Sequence, residues 1–541
     1  MRSKLVTSDR EIFPFSGLDT LNPPDQLDNG FSPALLNVQH TKGTLQKRKG
    51  YGLVGDGNTD LTDPVIGVIE FEALNGTRTL VGITTKKQFK FNTSTQQWDD
   101  ITLQTAMVDV DWTGGLDDVL DFVSARGLDK DGNVVKWLII TNGKDKPRYW
   151  DGSGLFKDFT TQCDLPNLTT FGTIEYNSGH LIIADITLSS TGNDSVHLAW
   201  SDAGSLANFT TNTSGEAIVS DSIGPIKKLI NLADRCIIYS QDSIIMMSYI
   251  AGDLIFSFER VAQQIRLVSA RAIVDVGPYH LYMSAENIYL FDGNRVSRPV
   301  ADRVQTQYRE QLFVDNRDQA FAFLDLAKNQ VYFNVPTGTA TSVLYVLEYD
   351  VYNLDNLKWS IHQYSHPVYS MGFFSRDLSL KWNSASLADV TWGGANFSWK
   401  QASIRSGFPA RVFGSNGVVY LHDDTSTNDA GVAYKAFWDT KDFTVLPDRA
   451  SPMPEMESLF SRWLEIETVA KGYEVQLFIS TDMGRSYQFV QRLDLDGNPT
   501  LYRIPLDYVS RTFRIRLVNE CLNSSFDIRQ VRVHMRKGGA H

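Results

Sequence analysis

Short apolar segments return along this chain roughly every fifty residues, and that spacing constrains the fold more than any other feature. Successive units begin near Val65, Val119, Thr173, Ile226, Ala270, Ala320 and Tyr369. Each opens on an apolar strand such as "HLIIADI" or "QVYFNVP", turns into a second strand, and closes on an aromatic–Asp turn followed by a polar strand. The closing pieces include "FKFNTSTQQWDD", "RYWDGSG", "LAWSDAGSLANF", "YLFDGNRVSRPV", "LEYDVYNLDNLKW" and "YLHDDTS". β-Branched and aromatic residues dominate these runs, and Gly, Asn, Asp and Ser separate them. A four-stranded sheet of this size cannot bury both of its faces alone. Stacking against its neighbours and closing a ring does so, and leaves few exposed edges. The expectation is an all-β chain built on a β-propeller of six or seven blades, over residues 63–430.

The pattern changes past about Ala430. "WLEIETV", "YEVQLFIS", "TFRIRLV" and "FDIRQVRVHM" alternate apolar with polar residues, as strands buried on one face do. Ile515 and Leu517 fall on one side of their strand, with Arg514 and Arg516 on the other. In the last strand Phe526 and Ile528 share one phase while Val531, Val533 and Met535 share the other, so a bulge near Arg529 is needed. Residues 431–541 are therefore expected to form a small antiparallel β-sandwich, reached through a proline-marked loop at 437–455. Residues 1–62 read as a turn-rich arm with a hairpin through Gly43 to Gly50. Phe13, Phe15, Leu18, Leu35 and Leu36 are costly to leave in water, so the arm is expected to dock on the propeller or on a neighbouring copy. Only 32–40 and 300–313 carry any helical pattern.

Composition narrows the function. The chain has 541 residues and a formal net charge of −12, which disfavours gripping nucleic acid through its phosphates. It does not disfavour surrounding nucleic acid without holding it. Cys163, Cys236 and Cys521 are sparse and odd in number, giving no disulfide framework or metal spacing and fitting assembly in a reducing cytoplasm. The N-terminal residues lack the apolar region of a secretory signal, and polar residues interrupt every apolar stretch before it reaches membrane-spanning length. The basic run "KGTLQKRKG" at 42–50 lacks interleaved aromatics and reads as a solvated hairpin or a contact with an acidic neighbour.

One local motif stands out. "ISTDMGRSYQF" places Ser480, Asp482, Gly484, Ser486 and Tyr487 in a pattern that resembles the Asp box of sialidases and other sugar-cleaving propellers. Its chemistry is that of a turn: the carboxylate accepts backbone N–H groups, glycine takes positive φ, and the aromatic ring packs beneath. Ser480, Asp482, Gly484 and Tyr487 are accordingly read as a structural turn. "WSDAGSLANF", with Ser201, Asp202 and Gly204, is a degenerate relative. A hydrolase needs in addition two carboxylates flanking a bond, and among 63 acidic residues pairs can be drawn anywhere. His362 and His366 have a metal-like spacing, but Pro367 and a strand–turn–strand pattern remove the helical face it requires. "DKDGN" and "DLDGN" lack the glutamate of a calcium loop and read as hairpin turns. Motifs for nucleotide, zinc or nucleophilic chemistry are missing, so no catalytic, cofactor-binding or metal-ligating residue is assigned.

Over nearly the whole chain the pattern resembles tail proteins of tailed bacteriophages. The opening "SGLDTLNPPDQLDNGFSPALLNVQHTKGTLQKRKGY" is similar to the start of such proteins. The stretch from "CIIYSQDSIIMMSYI" to "YLFDGNRVSRPV" is similar to the middle of packaged-DNA stabilisation and tail-nozzle proteins, and the alternating C-terminal strands to their sandwich. This resemblance implies a structural virion protein without enzymatic activity or cofactor, a homo-oligomer forming a hexameric ring. Its partners would be the portal or adaptor ring and other tail proteins. Genomic double-stranded DNA would pass through non-specifically, and no membrane would be entered. It would sit in the virion tail after assembly in the host cytoplasm. Basic strands such as "RQVRVHMRK" would then face acidic neighbouring subunits. A propeller glycosidase or glycan-binding tail protein that contacts the host envelope is the alternative.

Overall fold

The computed structural model describes residues 9–538 apart from 14, 42, 56–60, 251–254, 295–296, 313, 339–341, 349–356, 376–408, 445–457, 469–473 and 495–500. Among the described residues nearly all regular structure is strand. Seven four-stranded antiparallel sheets follow one another along the sequence. Their first strands are Val65–Glu72, Asp121–Leu128, Leu168–Asn177, Ile226–Leu232, Ile273–Asp275, Phe321–Asp325 and Ser370–Phe374. In the first six, the strands pair in simple sequence order. In the seventh, the outermost strand is Tyr51–Leu53, which pairs with Val419–His422 from the far end of the array.

Burial explains why these sheets stay together. Phe71 and Ile83 of sheet one share a core with Leu138 and Trp150 of sheet two. Ile139 and Tyr149 of sheet two pack with Phe171 and Ile183 of sheet three. Further clusters join sheets three and four, four and five, five and six, and six and seven. Val412 and Leu421 of sheet seven then pack on Val65, Val68 and Leu80 of sheet one. Each sheet thus covers both faces against neighbours, which gives a propeller-like arrangement.

Two six-stranded sheets and two short two-stranded ladders make up the remaining sheets among the described residues. One contains Leu501–Ser510, Ser458–Thr468 and Asp527–Gly538; the other contains Ala436–Asp439, Thr512–Asn519, Glu474–Ser480 and Gln488–Asp494. The N-terminal segment is threaded through both. Asp9–Phe13 and the hairpin of Val38–Thr41 with Thr44–Lys47 extend the first sheet, and Leu35–Leu36 pairs with Ala436–Asp439 in the second. Phe15, Leu18, Leu35, Val38 and Leu45 are at most 4% exposed, and each such burial stabilises by about 1.5–3 kcal/mol. They belong to one cluster that runs from sheets five and six into the sandwich, so a single core spans both parts. The segment docks within its own chain.

Two local expectations are corrected. Residues 32–40 hold short strands rather than helix, because Leu35 and Val38 are drawn into the sandwich core. The stretch opening at 437 is part of a sheet: Trp438 is fully buried, and Phe443–Thr444 pairs with Thr512–Asn519 before the described residues break off. Helix does form at Gln305–Gln311, anchored by the buried Tyr308, whose hydroxyl donates to the Ser284 carbonyl.

Candidate functional site

Polar side chains on some of the first strands meet across the sheet boundaries. In Leu168–Asn177 these are Thr173, Glu175 and Asn177. The Thr173 hydroxyl donates to Asp121 Oδ2 at 2.6 Å and accepts from the Leu229 amide at 3.0 Å, so one side chain links sheets two, three and four. The Ile174 amide and Lys228 Nζ also donate to the Asp121 carboxylate, which leaves both of its oxygens engaged. One strand register further, Glu175 Oε1 accepts from the Tyr176 amide and from Asn231 Nδ2. Asn177 donates to Asn231 Oδ1, and His280 of sheet five contacts the Asn231 carbonyl while Tyr239 contacts its other ring nitrogen. Arg271, just before sheet five, donates through Nη1 to the carbonyls of Ile66 and Tyr369, tying sheets one and seven to the opposite side of the array.

Electrostatics distinguish one group in this seam. Glu175 is half-buried, and loss of hydration pushes its carboxyl up to about 7, with the Lys228 charge pulling the other way. A carboxyl poised there can hold or release a proton near neutrality. Asp121 beside it is 4% exposed and saturated by donors. Sequence reasoning singled out none of Asp121, Glu175, Lys228 or Arg271. The available signal was the alternation of polar residues in strands that otherwise open a buried sheet.

The Asp-box-like turn lies in the sandwich, between Glu474–Ser480 and Gln488–Asp494. Asp482 accepts from the Ser486 hydroxyl at 2.5 Å, from the Ser486 amide at 2.9 Å and from the Ser480 hydroxyl at 2.7 Å, and these bonds hold its carboxyl down at about 2. Gly484 has φ +81, and a Cβ there would meet Arg514 Nη1 at 2.3 Å. The Tyr487 hydroxyl donates to the buried Asp439, whose other bonds come from Arg516. These contacts are internal to the sandwich. Asp202 closes its own turn in the same way, accepting from the Thr213 amide and hydroxyl.

The basic residues are located differently from expectation. Lys47 and Arg48 are at most 2% exposed: Lys47 donates to Asn519, and Arg48 pairs with Asp429 at 2.6 Å beneath Tyr364 and Tyr434. For Arg48 the acidic neighbour is therefore in the same chain, and Lys47 and Arg48 are not solvated; Lys42 lies outside the described residues. Arg514 and Arg516 pair likewise with Asp442 and Asp439, and Arg529 and Arg532 with Glu467. His362 contacts the Val38 carbonyl and His366 the Tyr51 hydroxyl, on separate structural roles. "DKDGN" forms a hairpin turn around Asp129, whereas most of "DLDGN" lies outside the described residues. Among the described residues no group of three or more His, Cys, Asp or Glu side chains is placed to hold a metal. No helix among them is long and apolar enough to cross a membrane. A cavity of about 530 Å³ between the turns of sheets four and five is lined by Asp242, Arg266 and Arg317 among others, without an aromatic side chain.

No protein-family model matches the chain, and no curated protein does. Solved structures do. An exo-β-1,3-galactanase from Phanerochaete chrysosporium, with β-1,3-galactotriose, is similar at 8% identity and a TM-score of 0.23, over 76% of this chain and 100% of that one. A glycoside hydrolase is similar at 10% identity and a TM-score of 0.21, over 96% of this chain and 99% of that one. Likeness at this level does not extend to substrate or chemistry. It does correct one expectation: the solved structures found similar are glycoside hydrolases, so the exclusion of enzymatic activity does not stand.

Proposed function

We propose that the seven four-stranded sheets are the blades of one closed propeller, and that the chain is a ring-forming subunit of a bacteriophage tail, at the nozzle or head-to-tail adaptor. The observation that carries this reading is the free flank of the sandwich. Gln488–Asp494 and Leu501–Ser510 are terminal strands of the two six-stranded sheets. Tyr502 reaches the Asp494 carbonyl and Ser510 the Thr481 carbonyl, so both edges lie on one side. That side exposes Met483, Phe489, Leu501 and Val509 at 50–59%. Apolar side chains on two adjacent sheet edges favour covering by another chain. The continuous core between sandwich and propeller supplies the stiffness a ring subunit needs, and the net charge of −12 suits a wall that duplex DNA slides past. The purified chain, alone or with its neighbouring tail ring, is expected to assemble into closed rings by electron microscopy, with Phe489→Glu and Val509→Lys preventing closure. Monomers under both conditions would remove this reading.

A second reading is favoured by Glu175. A half-buried carboxyl near neutrality beside the Asp121–Lys228 pair has the polarity of a general acid, the role a glycan-directed propeller would require. Its test is release of reducing sugar from an oligosaccharide panel, lost in Glu175→Gln with the fold intact.

A further inference from the structure

Among the described residues four arginines are less than a tenth exposed: Arg48, Arg148, Arg411 and Arg514. Three of them face a carboxylate, at 2.6 Å on Asp429, 3.1 Å on Asp325 and 2.7 Å on Asp442. Arg148 is 2% exposed and has no ion pair among the described residues. It opens the third strand of sheet two and reaches under the connection from sheet one. There Nη1 donates to Gln88 Oε1 and Nη2 to the Val110 carbonyl, and the guanidinium lies 5.1 Å from the Trp112 ring centroid. Asp145, Asp111 and Asp158 influence its charge only from farther away. Asp145 uses its oxygens on Thr113 and Asn142 and Asp158 on Lys146 and Thr160, while Asp111 is exposed to solvent.

Among the described residues three buried donors in this place have no acceptor: Arg148 Nε, Gln88 Nε2 and Trp112 Nε1. Gln88 is fully buried and Trp112 2% exposed. Exchanging the Gln88 oxygen and nitrogen would not remove the shortfall, because it would turn an N–H against the guanidinium. Buried donors without partners are costly, and a buried cation without a counter-charge more so.

We propose that this cluster of buried donors between sheets one and two is a halide site, in which a small monovalent anion accepts from Arg148, Gln88 and Trp112. Enclosure sets the size: with every donor almost wholly buried, the occupant is about one heavy atom. Charge sets the sign, since water would satisfy the N–H groups and leave the guanidinium uncompensated. The bound ion would fasten Val110 and Trp112 of the connection onto the two sheets.

Diffraction from wild-type crystals grown in sodium bromide should show an anomalous peak within hydrogen-bond reach of Arg148 Nε. The melting temperature should rise with chloride or bromide relative to gluconate at equal ionic strength. Arg148→Met should lose that increment. Trp112→Phe, which keeps a ring of related shape and removes one donor, should weaken halide binding about tenfold. The proposal is overturned if bromide gives no anomalous peak, if halide and gluconate act alike on the wild type, or if the halide increment survives unchanged in Trp112→Phe. The bromide and Trp112→Phe measurements decide the matter even if Arg148→Met does not fold.

Discussion

At the residue scale, Glu348 and His40 join distant parts of the chain and are both held away from their ordinary ionisation. Glu348 closes the third strand of sheet six and accepts the amide of His40, from the N-terminal hairpin, at 2.8 Å. Burial pushes its carboxyl up to about 7, against an unperturbed value near 4.5. Between those values the folded chain keeps a proton that the unfolded chain has released, so this contribution to stability falls as pH rises from about 4.5 to 7 and then levels. His40 is held down at about 3 by burial, so its own contribution runs the opposite way below about 6.5. A comparison of variants isolates the glutamate. Glu348→Gln, which keeps an acceptor for His40, should gain on the wild type across that window, by roughly 2–3 kcal/mol above pH 7. Urea titrations at pH 4.5, 6 and 8 check it, and a difference independent of pH would contradict the assignment. The Asp482 turn was readable because all its bonds fall within four residues. Asp121 and Asp439 were not, because their donors lie 52 and 77 residues away and composition offers no register for such pairs.

At the element scale, the first strands connect local sequence to ring closure. Their starts at Val65, Ile226, Phe321 and Ser370 fall within one residue of where the fifty-residue recurrence begins a unit, because strand, turn and strand are each specified by neighbours in sequence. Arg529 is the extra residue of a bulge: Gln530 faces Glu467 while Ile528 faces Thr468, which resolves the two apolar phases read from the last strand. The N-terminal strands were not assigned to the sandwich. Two- to four-residue strands such as Leu35–Leu36 take their register from partners some 400 residues distant, beyond any periodic signal. Between sheets, Thr173 is the hinge pin of the seam. Thr173→Val preserves shape while removing the acceptor of the Leu229 amide and a donor to Asp121, and should cost about 1–3 kcal/mol. Hydrogen exchange at the Leu229 amide should quicken by one to two orders of magnitude; unchanged protection would show that the sheets are held by apolar packing alone.

At the scale of the whole molecule, the chain closes on itself twice. Tyr51–Leu53 completes sheet seven, and the residues before it complete both sheets of the sandwich. Described residues towards both termini, from Phe15 to Val533, thereby share one continuous core. The parts free to act are the flank carrying Phe489 and Val509 and the polar seam around Glu175. The flank is the feature on which the account depends, and the state of assembly tests it most directly. Electron microscopy of the purified chain, with and without the tail ring proposed as its neighbour, is expected to show closed rings in which the sandwich edges are covered by the next copy. Single particles in both preparations, or rings whose subunits meet elsewhere and leave Phe489 and Val509 in solvent, would contradict it.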